Sequence, residues 1–239
     1  MEKEKNRLEK VAQAFSMADG FNGYMTKYRV DTILDRCPQG GTLLDIGSAD
    51  AFMSEILSLY YTKITAVDGS DKLIECAKQK TQKNNIEFVY SLIEDFKTSE
   101  RFNVVLLSFI LEHVVDPVSV LKKTKLFLAK NGIMFVMVPN ALSLHRRVGQ
   151  KLGLISTFSS LNKTDIRQGH RRVYTTETLI KDITDAGLKV LERGTFFIKP
   201  FANPQMELIN REICDTLYKV SKDISELELG SMIYIKVKQ

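Results

Sequence analysis

Apolar residues in this chain fall into two patterns: short, nearly continuous runs, and longer stretches in which they recur every three or four positions. Runs at 42–46, 64–67, 86–90, 102–107 and 133–138 read as buried strands, because a half-exposed strand would alternate apolar with polar residues. The second pattern predicts helices. Phe52, Ile56, Leu57 and Tyr60 share a helical face, residues 72–83 follow a cap at Ser70 or Asp71, and Asp116-Pro117 opens a helix that runs to 128 and is ended by Asn131-Gly132. A threonine before Glu177 starts another helix, which Gly187 ends; strands at 188–198 and 231–237 follow, with a mostly helical stretch at 201–227 between them. Residues 1–37 read as helical, with a break near Asp19-Gly20 and Asn22-Gly23.

The segment from 41 to 68 organises the rest. It reads strand, tight turn with Gly47 and small residues Ser48, Ala49 and Ala51, helix, strand, and then an acid, Asp68. Small residues let a ligand approach the backbone, and an acid at the tip of the second strand can accept hydrogen bonds from a ribose diol. A nucleoside is the natural occupant. A dinucleotide fingerprint would carry three spaced glycines, whereas this loop is Asp45-x-Gly47-x-Ala49-x-Ala51.

That loop resembles the D-x-G-x-G-x-G loop of class I S-adenosylmethionine-dependent methyltransferases, with Ala49 and Ala51 in place of two glycines. Leu111-Glu112-His113-Val114-x-Asp116-Pro117 after the fourth strand resembles the members that act on small metabolites. The resemblance implies an α/β fold: a seven-stranded, mostly parallel, Rossmann-like sheet flanked by helices, its last strand antiparallel. It also implies S-adenosyl-L-methionine as cofactor. By resemblance Asp45, Gly47 and Ala49 pass its methionine part, Asp68 takes the ribose, Leu92 and Ile93 contact the adenine, and Ser48, Gly69 and Ser108 are further cofactor-binding candidates. Tyr24, Tyr28 and Arg29 on the leading helix are candidates for reaching the methionine carboxylate, or else core tyrosines and a surface charge.

Composition narrows the function further. At 239 residues and 44% hydrophobic, one sizeable core is expected: a single domain over 1–239, with a helical cap at 1–37, a cofactor-binding core at 38–140, a lid at 141–172 and a helical insertion at 199–229. No apolar run reaches the roughly 18 to 20 residues of a membrane span, and the charged start lacks a secretory block, so a cytoplasmic protein without membrane attachment is expected. The three cysteines are far apart and read as small buried hydrophobes; no metal site is expected. A homodimer is allowed, with the insertion as one candidate contact.

Charge and histidines bear on the acceptor. The net charge is +5, with Arg146, Arg147, Lys151, Lys163, Arg167, Arg171 and Arg172 set against Asp165 in the lid. Nearby arginines suggest a phosphate or carboxylate on the acceptor, or simply a solvated face. Methyl transfer needs alignment in a dry pocket, plus a base when the acceptor is a hydroxyl of high pKa. His170 ranks first as that base, His113 reads as a wall of the site, and His145 stands at the other end of the lid. No amino-group methylation motif of the N/D-P-P-Y/F type and no Pro-Cys follows the fourth strand, so nucleic acid ranks below a small metabolite. A methyltransferase acting on O or N of a small, anionic acceptor is the expectation; the alternatives are a non-catalytic cofactor binder and an NAD-dependent oxidoreductase.

Overall fold

The computed structural model describes residues 4–5, 7–9 and 20–239. Its elements run α1 (Gly20–Arg36), β1 (Thr42–Ile46), α2 (Phe52–Leu57), β2 (Lys63–Asp68), α3 (Asp71–Lys80), β3 (Ile86–Tyr90), β4 (Phe102–Ser108), α4 (Pro117–Lys125), β5 (Leu128–Pro139), α5 (Leu144–Lys151), α6 (Lys163–Arg167), α7 (Thr176–Asp185), β6 (Lys189–Phe196), α8 (Asn203–Met206), α9 (Arg211–Asp223) and β7 (Met232–Lys238). The strands form one seven-stranded sheet in the order β3-β2-β1-β4-β5-β7-β6. From β3 to β5 every pairing is parallel, while β7 lies antiparallel between β5 and β6. The expected α/β sheet with an antiparallel last strand is the observed one.

Each central strand is buried on both faces, so successive side chains feed two separate cores. Leu44, Val105, Leu107, Met134 and Val136 pack toward α4 and α7, meeting Val120, Leu121, Leu179 and Ile183. Leu43, Val104, Leu106, Phe135 and Met137 pack on the other side with Phe21 and Ile33 of α1, Met53 and Leu57 of α2, and Tyr218 of α9. Asp116 caps α4 by accepting from the Ser119 amide, and Thr175 caps α7 through the Thr178 amide. No helix among the described residues is long and apolar enough to cross a membrane.

Four expected boundaries move. Helix α1 runs unbroken through Asn22-Gly23, with Gly23 on its buried face; Asp19 lies outside the described residues. Helix α3 stops at Lys80, where Thr81 turns extended. Helix α4 ends at Lys125, and Asn131-Gly132 lies within β5. There Asn131 takes a left-handed φ of 66°, and the pairing with β4 jumps from Phe102↔Leu128 to Val104↔Ile133, so the dipeptide makes a bulge instead of ending a helix. The segment 141–172 is not wholly irregular: α5 and α6 lie in it, α6 closed by a reciprocal cap between Asn162 and Asp165.

The turn after β1 is strained. Gly47 (φ 74°), Ala49 (φ 51°) and Ala51 (φ 60°) are all left-handed, so both alanines hold a conformation that suits glycine. An L-residue there costs about 1–2 kcal/mol, more than the roughly 0.5–1 kcal/mol of extra chain entropy that glycine brings. Ala49→Gly is therefore expected to stabilise the fold by about 0.5 kcal/mol. Ala51→Gly should be near neutral, because it also removes a fully buried methyl. Urea unfolding checks both; a loss above about 1 kcal/mol for Ala49→Gly would contradict the strain argument.

Candidate functional site

The chain reverses direction across the sheet between β1 and β4, and a cavity of about 400 Å³ opens there along the carboxyl ends of the parallel strands. Gly47 and Ala49 after β1, Asp68 and Gly69 after β2, Leu92 and Ile93 after β3, and Ser108 at the end of β4 all line it. Asp68 fixes the turn from across the gap: Oδ2 accepts from the Ala49 amide at 2.9 Å and Oδ1 from the Ser70 amide at 2.8 Å. Burial pushes its pKa up, and these amides oppose the rise. A carboxylate has about four acceptor sites, so the loop amides leave acceptor capacity on Asp68, which lines the cavity. A Cβ on Gly47 would meet Ile110 Cδ1 and push that side chain aside, and the φ of 74° there also favours glycine. Asp68 and the narrow turn together fit an adenosyl group.

Four expected residues lie off the cavity wall. Asp45 is fully buried behind the turn and accepts from Ser54 Oγ at 2.5 Å. Burial raises its pKa to about 6, with Asp68 adding to the rise and Ser54 and Arg29 opposing it. Ser48 is buried, with its amide on the Val67 carbonyl. Tyr24 sits under the Arg211 guanidinium, 5.8 Å from its ring centroid, because its position on α1 turns it toward the insertion. Tyr28 is likewise core: it stacks between Phe197 and Tyr218 and donates to Asp215. Arg29, one residue on, does line the cavity, its guanidinium 4.9 Å from the centroid of Phe109, a residue itself held at φ 63°.

Asp45 makes stability depend on pH. Its folded pKa lies above the 3.8 of a free aspartate, so between pH 3.8 and about 6 the folded state holds a proton that the unfolded chain has lost. The protein accordingly loses stability as pH rises through this window. Asp45→Asn removes the term, so its stability relative to the parent should improve by on the order of 2 kcal/mol from pH 4 to pH 7. Denaturant unfolding at the two pH values checks the sign.

Part of the cavity wall is polar. His113, His145 and His170 all line it. His170 Nδ1 lies 3.5 Å from Asp165 Oδ1, and its ring meets His113 edge-on with centroids 4.8 Å apart. Burial, aided by His170 and Arg7, lowers the His113 pKa to about 3, so that ring is neutral at pH 7. His145 is held at about 2 by burial and by Lys199 and Arg146. Burial would raise Asp165, but hydrogen bonds from His170 and Asn162 and the Arg146 charge hold it near 2. Glu112 is fully buried beside this group, its pKa pushed up to about 7 by burial against His170 and Arg29. Glu112, His113 and His170 bring ligand-type atoms within 4.8 Å of one another, a spacing at which they could hold a cation between them.

Sequence reasoning missed Lys199 and the amino-terminal contacts. Lys199, just beyond β6, is buried against the cavity, and burial lowers its pKa to about 8. Arg7 donates to the carbonyls of Gly169 and His113, while Leu8 approaches Gly69 so closely that an added Cβ there would lie 2.6 Å from it. Neither carries a sequence signal, since both depend on segments far apart in the chain. Arg171 and Arg172, expected at an acceptor anion, do not line the cavity. Arg171 holds the His113 carbonyl and Glu4, and Arg172 holds the carbonyls of Leu111, Val114 and Val115.

Known proteins share this fold. A ubiquinone biosynthesis O-methyltransferase of Pelagibacter ubique (strain HTCC1062) is 30% identical over 155 residues, which cover 58% of this chain and 65% of that protein. The chain thus spans less than two thirds of the length of that curated relative. The N-methyltransferase NodS from Bradyrhizobium japonicum WM9, solved with S-adenosyl-L-homocysteine, superposes with a TM-score of 0.60 at 16% identity, over 93% of this chain and 90% of that one. An S-adenosylmethionine-dependent methyltransferase from Mesorhizobium loti gives 0.62 at 13% identity, over 88% and 96%. At these identities the structures speak for the fold. The family described as "Methyltransferase domain" matches residues 22–193. With a seven-stranded sheet of this order, an adenosyl-sized cleft at its switch point and a match over most of its length, the chain belongs to the S-adenosylmethionine-dependent methyltransferases of that family.

Proposed function

We propose that this protein transfers the methyl group of S-adenosylmethionine to an oxygen or nitrogen of a small acceptor that carries an acidic group. The supporting observation is a single cavity whose wall carries both Asp68 and His170. Asp68 binds the ribose hydroxyls, Leu92 and Ile93 flank the adenine, and Arg29 receives the methionine carboxylate. The segment 141–172 covers the acceptor and contributes His145 and His170. Displacement at a sulfonium needs the donor and acceptor aligned and water kept out, which the largely apolar strand ends provide. For a hydroxyl acceptor, His170 takes the proton, and Asp165 behind it steadies the imidazolium that forms. His113, neutral and edge-on to His170, serves as a wall.

Calorimetric titration with S-adenosylhomocysteine and with NADH tests the reading, followed by an assay of S-adenosylhomocysteine release over small hydroxylated and aminated acceptors. Heat with the first ligand and none with NADH supports it. Folded protein that gives no heat with S-adenosylhomocysteine overturns it, and binding without release for any acceptor favours a non-catalytic cofactor binder.

A further inference from the structure

Lys199 is the feature of the acceptor end that this reading leaves unused. It is 8% exposed, follows β6, and lines the same cavity as His145 and His170. Among the described residues its hydrogen-bond partner is the Asn203 side-chain oxygen at the start of α8, so two of its three donors have no acceptor. A buried ammonium is costly unless paired. Other cations nearby are already engaged: Arg146 donates to the carbonyls of Phe158 and Ser160 and pairs with Asp165 at 3.1 Å. The polar atoms of the cavity wall that lack a hydrogen-bond partner among the described residues include Ser231 Oγ and His145 Nδ1, and Ser231 is 5% exposed.

Resting on the reading of this end as the acceptor site, we infer that Lys199, with Ser231 and His145, anchors a carboxylate of the methyl acceptor. The charge balance selects the class. Arg146 and Asp165 cancel as a pair, so Lys199 leaves one net positive charge, which a carboxylate neutralises and a phosphate dianion would exceed inside a closed pocket. The lowered pKa of the free lysine agrees, since an ammonium awaiting its counterion sits in an unfavourable environment. Asn203 belongs to the insertion between β6 and β7, so the insertion would set how deep the carboxylate sits and thereby which atom of the acceptor faces the methyl group.

The test uses the full chain saturated with S-adenosylhomocysteine and titrated with benzoate, benzamide and phenyl phosphate. Benzoate is expected to bind at least about tenfold more tightly than either of the others, the scale of one charge-assisted hydrogen bond. Lys199→Met should lose that preference and Lys199→Arg keep most of it, while both bind S-adenosylhomocysteine as the parent does. Equal benzoate affinity in Lys199→Met, or a parent that fails to prefer benzoate, overturns the assignment. A parent that does not bind S-adenosylhomocysteine would instead sink the methyltransferase reading, so the two failures are distinguishable. Should Lys199→Met not fold, Lys199→Gln, which removes the charge but keeps a polar tip for Asn203, carries the same expectation.

Discussion

Asp68→Ala is expected to lower affinity for S-adenosylhomocysteine by about 100-fold or more, with the protein still folded by circular dichroism. Two hydrogen bonds from the ribose diol to a carboxylate are lost, each worth about 1.5–3 kcal/mol, and the Ala49 and Ser70 amides lose the group that holds them. Asp68→Asn separates the contributions. Its amide can still accept one bond from the loop but has fewer acceptor sites for the sugar, so an intermediate loss of about tenfold is expected. Calorimetry on the three proteins measures the series. Asp68→Ala binding within fivefold of the parent would show that the ribose is held elsewhere, and the assignment of the cavity's nucleoside end would have to be abandoned.

Arg172→Ala is expected to destabilise the protein by about 2–3 kcal/mol while leaving cofactor affinity within a few fold. The guanidinium donates to the Leu111 and Val114 carbonyls at 2.6 Å and to Val115 at 3.0 Å, so it organises the turn between β4 and α4 from outside the cavity. Truncation leaves three carbonyls without that donor in a partly buried turn, and a bond to a charged group counts for more than a neutral one. Lysine at this position has the charge but not the fork, so Arg172→Lys should recover less than half of the loss. Denaturant unfolding measures this directly. A variant that kept its stability but lost acceptor binding would return Arg172 to the anion-binding role that its sequence position suggests.

Most of the sheet was legible because buried parallel strands are nearly continuous apolar runs, and Asp68 was legible because an acid ends one of them. Punctuation residues were less dependable. Asn131-Gly132 reads equally well as a helix terminator or a bulge, since both use a left-handed residue; the register between β4 and β5 decides for the bulge. Asn22-Gly23 reads as a break until the packing around Gly23 is known. Side-chain destinations were the least legible part. The arginines at 171 and 172 look like a cationic surface in the sequence, but whether a guanidinium meets solvent, a ligand or backbone carbonyls depends on a turn some sixty positions earlier. Lys199 looks like any lysine after a strand, and its contact with Asn203 on α8 is made only in the folded chain.

Ala49 and Ala51 occupy glycine's region of backbone space while carrying a methyl group each. What defines a nucleoside-binding turn of this kind is thus a path of dihedral angles, for which glycine is the cheapest spelling and alanine a dearer one. Chains that replace those letters would escape any search for spaced glycines, yet a short run of left-handed residues between a buried strand and a helix, faced by an acid from the adjoining strand, would still give them away.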